Sequence, residues 1–431
     1  MGNSIIEKSM ANKIKKNQYS TDGALVKSIL GGIIGDISGS TREGYGGNKP
    51  YPISLLTASS YFTDDSTLTI AVADWLNDKG TTDLKSCLQK WSHMYPFVGF
   101  GGLFKVFMEN GEPQESNGNG AAMRVAPIAV AAKALEEALH MAEEQCLVTH
   151  TTETAITGAK AIAAAIYLAK EGAEKGIDAQ TVKANIKAYI ESNFGYDLNK
   201  TLEEIQERSN DLARQRQEFR ATGIATDGYM NMSNAALSCP MAIMAFLMGE
   251  DFEESIRYSM AMLGDSDSIA CMAGSISAQL YGIPQQLVDE ALVYLPVEMV
   301  DVLNKFEGDK FVHKGITPPA IGKWKPNGEV IVYGSGEVEN EKGYNETVRS
   351  RFNKYPRPGY AIPTIGKSLE EIGSSIAKFI EYAKDNQELR FHVRPVGYDL
   401  AGYTAEQIAP LFKDAVSVRN ILLPKEIVDL Y

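Results

Sequence analysis

No two cysteines of this chain stand in CxxC spacing, and only four are present: Cys87, Cys146, Cys239 and Cys271. That spacing excludes a thiolate zinc site and a disulfide framework. Cys239 and Cys271 fall in apolar, helical-looking surroundings, so buried free thiols in a reducing compartment are expected. An excess of positive charge is also missing, since the formal net charge is −13 over 431 residues. This balance argues against a general nucleic-acid or anionic-membrane binder, but not against a nucleotide, which needs only local donors. No apolar run is long enough to span a bilayer, and Met1 to Lys16 is basic and polar without a secretory h-region. Cytoplasm is the expected compartment. Internal repeats and low-complexity segments are absent, and strand-like alternation is nearly so from Lys27 to about Phe306.

What is present is ordinary globular composition, 44% apolar and 23% charged, over a length that suits two or three domains. Residues 1–22 form a polar extension. Residues 23–306 read as one all-α domain. It includes a small-residue helix from Ala24 to near Gly39, a helix from Thr63 to Trp75, and an amphipathic helix over Glu136 to Leu147. A long alanine-rich helix follows Thr149, and two apolar-periodic helices cover Ala235 to Met248 and Phe252 to Leu263. The charged stretch 175–220 reads as a solvated surface excursion. Residues 307–328 carry the Pro, Gly and Lys of a linker. The order strand (Glu329 to Tyr333), helix (Ser368 to Lys384), strand (Glu388 to Val396), short helix (Thr404 to Lys413) and a last strand within Val416 to Leu423 predicts a small α/β domain over 329–431. Its Gly334-Ser335-Gly336 turn lacks a full phosphate-loop fingerprint, so nucleotide binding and a scaffold role stand equal.

One stretch organises the chain: Gly264-Asp265-Ser266-Asp267-Ser268, followed by a helix with Ala270, Ala273, Gly274, Ser277 and Ala278 at three- and four-residue steps. Small residues on one side allow a neighbouring helix to approach closely. Asp265 suits an N-cap, with Asp267 in the first turn, where negative charge is favoured. Capping alone explains such a motif. A second acidic turn, Thr63-Asp64-Asp65-Ser66, lies about 200 residues upstream and adds a second reading, in which both turns serve one site. The loop Asn117-Gly118-Asn119-Gly120-Ala121 enters a helix and reads either as a phosphate cradle of backbone N–H groups or as a flexible connection. His150, at a helix start, reads as a hydrogen-bonded structural residue or a site residue.

Four segments in order resemble the ADP-ribosylglycohydrolase family, which includes the dinitrogenase-reductase-activating glycohydrolases. They are Gly31-Gly32-Ile33-Ile34-Gly35-Asp36 through Glu43, Phe62 to Thr67, Asn117 to Arg124, and Leu263 to Ile269 through Tyr281-Gly282-Ile283-Pro284. Thr149-His150 and Gly158-Ala159 fit a weaker fifth. The resemblance covers roughly 28 to 305. It departs at Leu263, where the family usually has glycine.

The resemblance implies an all-α fold with two Mg²⁺ ions in a central cleft, held by Thr63, Asp64, Asp65, Asp265, Asp267 and Ser268. Hard oxygen donors without His or Cys suit Mg²⁺ or Mn²⁺ rather than zinc. Asp65 or Glu43 is expected to take the proton of an attacking water. Gly118, Asn119, Gly120 and Ala121 are expected to hold a diphosphate, with Arg124 anchoring the loop from behind. Phe100 and His150 are expected at the adenosine or distal-ribose end. The implied reaction is hydrolysis at the anomeric carbon of ADP-ribose, releasing it from a modified protein side chain or a small acceptor. The rivals are a non-catalytic ADP-ribose-binding module, a metal-dependent nucleotide phosphohydrolase, and a structural helical protein. A monomer is the default expectation.

Overall fold

Every residue from 266 to 279 is buried, so the helix after the Gly264–Asp265 turn forms the centre of its fold. The computed structural model describes residues 18–21, 23–42, 55–56, 60–78, 81–96, 98–222, 230–312, 329–335, 343–348, 357–386, 389–394, 396–397, 401–416, 418, 420–424, 427 and 430. These fall into two compact units, one within 18–312 and one within 329–430.

The first unit begins with β1 (Leu25–Val26), α1 (Leu30–Gly39), α2 (Asp64–Asn77), α3 (Leu84–Met94) and α4 (Gly102–Asn110). It continues through α5 (Gly120–Met123), α6 (Ala126–Ala131), α7 (Leu135–Leu147), α8 (Glu153–Glu174), α9 (Ala179–Phe194) and α10 (Leu202–Thr222). It closes with α11 (Ala235–Met248), α12 (Phe252–Ala261), α13 (Ser266–Leu280), β2 (Ile283–Pro284), α14 (Gln285–Ala291) and α15 (Val297–Glu307). The two strands pair antiparallel, Leu25 with Pro284 and Val26 with Ile283. That pairing shortens the expected helix from Ala24: the chain bonds to β2 first, and α1 starts only at Leu30.

The small-residue face of α13 meets α1. A Cβ at Gly35 would overlap the Ala270 carbonyl oxygen, and one at Gly39 would overlap the Ser266 carbonyl oxygen. The two helices therefore touch backbone to backbone, as the three- and four-residue spacing of small residues allows. Around α13 also pack α8, α11 and α12. No described helix is long and apolar enough to cross a membrane, and all four cysteines are free and buried.

The charged excursion is not merely solvated. Along α10, Leu202, Ile205, Ser209 and Leu212 are buried at helical spacing. Gln206 donates to the Ala261 carbonyl at 2.7 Å. The high charge of the opposite face masked this stripe in the sequence.

In the second unit a five-stranded sheet has the order β4-β5-β3-β6-β7, with β3 (Glu329–Ser335), β4 (Gly343–Val348), β5 (Arg357–Pro363), β6 (Arg390–Val393) and β7 (Ile421–Leu422). It is parallel except for the β4–β5 pair. The helix α16 (Leu369–Asp385) starts with a capping box between Ser368 and Glu371. Ile376 and Phe379 of α16 pack with Val332, Ile362, Phe391 and Phe412 in the core. A short α17 (Ala405–Ile408) passes into a 3₁₀ turn before β7. Strands β4 and β5 have no counterpart in the sequence expectation, which assigns nothing between Gly336 and Ser368.

Candidate metal and ligand site

Three buried carboxylates meet in the first unit. One oxygen each from Asp36, Asp65 and Asp267 lies within 4.8 Å of the others. Asp65 and Asp267 stand in the first turns of α2 and α13, whereas Asp36 projects from the middle of α1.

Asp36 is the one charged residue of an otherwise apolar or small helix. Its carboxylate accepts from the Thr63 amide at 2.8 Å, the Thr63 hydroxyl at 2.6 Å, the Ser66 amide at 3.1 Å and the Ser66 hydroxyl. It therefore caps α2 from a neighbouring helix and satisfies donors that the helix start leaves open. Burial raises its pKa, and the Ser66 and Thr63 donors oppose that shift. Asp36 lies within a segment that resembles the family but has no role among the sequence expectations. The signal was there: a lone carboxylate in an apolar helix must find donors or a cation.

Thr63 is the N-cap of α2, its hydroxyl accepting from the Asp65 amide at 3.3 Å. Its single proton goes to Asp36, the shorter of two contacts, leaving 3.2 Å to Asp65 Oδ2 as the longer one. Ser268, from α13, donates to Asp65 Oδ2 at 3.3 Å, so the two acidic turns do converge. Asp65 Oδ1 is buried and accepts no hydrogen bond. Burial pushes the Asp65 carboxyl well above the usual range, with Asp36, Asp64 and Asp265 adding to the shift and Ser268 opposing it.

Asp265 occupies the N-cap position of α13, yet its side chain does not cap. Instead it accepts from Asn119 Nδ2 at 2.7 Å. Burial raises its pKa, opposed by Asn119, Ser268 and, from α10, Arg216. Capping thus fails to explain this turn. Asp64 is half-buried, and a Cβ at Gly99 would stand 3.2 Å from its Oδ1. Glu43 lies outside the described residues.

An all-oxygen set with an unbonded buried Asp65 oxygen fits a hard divalent cation. Without one, adjacent buried carboxylates repel.

The glycine loop adjoins this cluster through Asn119. The Gly118 amide donates to Ser116 Oγ at 3.1 Å and the Asn119 amide to the Ser233 carbonyl at 2.8 Å. These two are spent within the protein and are unavailable to a diphosphate. Among the described residues, the Gly120 and Ala121 amides make no hydrogen bond; Ala121 is fully buried, so the half-buried Gly120 amide is the donor left to a ligand. The Ala121 side chain is buried against Cys146, Ala155 and Ala159. Arg124 anchors the loop from behind: it donates to Gln145, whose own amide donates to the Ala121 carbonyl at 2.8 Å. His150 lies beside Gly118 and Gly120. Phe100 lies in an aromatic cluster. It is 2% exposed and stacks on Phe104 with centroids 5.0 Å apart, so its ring face is not presented to a ligand.

The sequence model of ADP-ribosylglycohydrolase matches residues 19–309. ADP-ribosylhydrolase ARH3 of Danio rerio is 28% identical over 327 residues, covering 61% of this chain and 82% of that protein. ADP-ribosylarginine hydrolase Tri1 of Pseudomonas putida is 22% identical over 282 residues, covering 59% of this chain and 70% of that protein. A solved chain described as an ADP-ribosylglycohydrolase-related protein complex aligns with TM-score 0.46 and 21% identity, over 66% of this chain and 97% of that one. The matched span contains both acidic turns and the glycine loop, and the chain belongs to the ADP-ribosylglycohydrolase family.

Proposed function

We propose that the protein is a Mg²⁺-dependent hydrolase that cleaves the bond at the anomeric carbon of ADP-ribose and frees it from a modified protein side chain or small acceptor. The observation that carries this reading is the buried Asp36–Asp65–Asp267 cluster standing beside a glycine loop whose Gly120 amide is unbonded and half-buried. Thr63, Asp64, Asp65, Asp265, Asp267 and Ser268 would hold two Mg²⁺ ions, with Asp36 steadying Thr63 and sharing the cluster. When bound, the ions supply electrophilic charge that orients ribose hydroxyls and makes a water nucleophilic near neutral pH. The chain's own groups do the rest. The Gly120 amide holds the diphosphate, Asn119 keeps Asp265 in place, and Asp65 or Glu43 takes the proton of the attacking water. Charge developing on the sugar ring faces the carboxylate cluster, as in glycoside hydrolysis. The two named relatives are an ARH3 and an ADP-ribosylarginine hydrolase, so the acceptor is sought by experiment. The test is release of ADP-ribose from arginine-linked, serine-linked and acetyl-ester conjugates, with Mg²⁺, Mn²⁺ or chelator. Metal-dependent release from at least one conjugate is expected. No release from any of them, with Mg²⁺ binding intact, would reject the reading.

A further inference from the structure

Behind the glycine loop runs a chain of donors that ends at His150. Arg124 is fully buried, and every acceptor it reaches is uncharged: Gln145 Oε1 at 2.9 Å from Nε, and the Gln145 carbonyl at 3.1 Å and Thr149 Oγ1 at 2.7 Å from Nη2. Its Nη1 takes no partner. Thr149 Oγ1 in turn lies 2.7 Å from His150 Nδ1. A guanidinium only donates, so Thr149 accepts from Arg124 and has one proton left to give. Thr149 is buried, and Nδ1 is the acceptor within reach of that proton. A proton on Nδ1 would strand the threonine proton, and an unmade buried hydrogen bond is costly. The ring proton therefore belongs on Nε2. That edge of the ring faces the loop: a Cβ at Gly120 would stand 3.4 Å from Nε2 and 3.2 Å from Cε1, and one at Gly118 3.7 Å from Nε2. Glycine at both positions leaves this edge uncovered by a side chain.

We propose that Arg124 and Thr149 are positioning residues that lock His150 as its neutral Nε2–H tautomer, so that this N–H donates to a phosphate oxygen held at the Gly120 amide. The proposal deepens the reading of the loop as a diphosphate site and rests on it. Each donor polarises the next, so the buried charge of Arg124 reaches the ligand as a strengthened neutral N–H. A histidine cation would bring charge too, but it would vary with pH and leave Thr149 unpaired. Burial and then Arg124 lower the His150 pKa to about 3, so the ring stays neutral throughout the physiological range. The neighbouring Cys146 thiol is pushed up to about 11 by burial and adds no charge there.

The test uses the full-length chain with ¹⁵N-labelled histidine. The long-range ¹H–¹⁵N spectrum reads ring tautomer, and the His150 signals are assigned by their loss in His150→Asn. Wild type is expected to show the Nε2–H pattern unchanged from pH 5 to 8. Thr149→Val is expected to give mixed tautomers or a titrating ring, and to weaken ADP-ribose binding in Mg²⁺ buffer at least tenfold. Thr149→Ser, which keeps the hydroxyl, should restore both. An Nδ1–H ring in wild type, or titration near pH 6.5, overturns the proposal. So does wild-type affinity in a Thr149→Val protein that has lost the tautomer and still melts normally. If wild type binds no ADP-ribose, the diphosphate reading fails, while the spectrum alone still decides the relay.

Discussion

Asp36 and Thr63 are joined twice, amide to carboxylate at 2.8 Å and hydroxyl to carboxylate at 2.6 Å, although one sits inside α1 and the other caps α2. The same carboxylate that faces Asp65 and Asp267 thereby anchors the helix from which Asp65 projects.

Asp36→Ala is expected to lower stability before any chemistry is measured. It leaves buried Thr63 and Ser66 donors without their acceptor, each stranded group costing on the order of 1–3 kcal/mol. A loss of roughly 3 kcal/mol or more in urea unfolding without metal is expected. A loss below about 1 kcal/mol would mean that the cap is dispensable.

Asp65→Asn and Asp267→Asn should behave in the opposite way. The amide keeps the shape and removes charge from a crowded, buried cluster. Both variants should melt near wild type without metal, lose most Mg²⁺-induced stabilisation, and release ADP-ribose at least about a hundredfold more slowly. Near-normal release by both would sink the two-metal reading.

Both acidic turns and the glycine loop were legible in the sequence because their chemistry is local, with carboxylates and glycines adjacent in the chain. Asp36 was harder to place, because its partners lie 27 and 30 residues away and only folding brings them together. The buried stripe of α10 was hidden by charge on its outer face. Strand β5 carries two prolines within its seven residues, a composition that does not mark a strand locally.

Leu263 adopts φ of +65°, the left-handed conformation that costs a side chain with a Cβ roughly 1–2 kcal/mol. The family's usual glycine at this position would meet that requirement without strain. Leu263→Gly is therefore expected to keep activity within a few-fold and to melt no lower than about 2 °C below wild type. Leu263→Val, β-branched and a worse fit to this backbone, should melt clearly lower. Equal melting of the two variants would show that the backbone here is not the constraint.

His150 gives the protein an acid-side liability. Its folded pKa is depressed to about 3, whereas the unfolded ring titrates near the usual 6.5. Below 6.5 the unfolded chain binds a proton that the folded chain refuses. The stability contribution is therefore complete above pH 6.5 and is lost as pH falls toward 3. Between pH 7 and 4.5 wild type should lose roughly 2 kcal/mol more than His150→Asn does. Urea titrations at the two pH values measure this, and equal losses would contradict it.

The glycine seam between α1 and α13 sets the mechanical character of the site. Gly35 meets the Ala270 carbonyl and Gly39 the Ser266 carbonyl, so no side chain lies between these backbones to act as a spring. Asp36 follows Gly35 and Asp267 follows Ser266, one residue beyond each contact. The spacing between the main-chain positions that carry the two carboxylates is thus gauged by main-chain thickness, a length that no rotamer change can adjust. Such a gauge holds its setting through most repacking of the surrounding core and loses it at once when a methyl group is inserted into the seam.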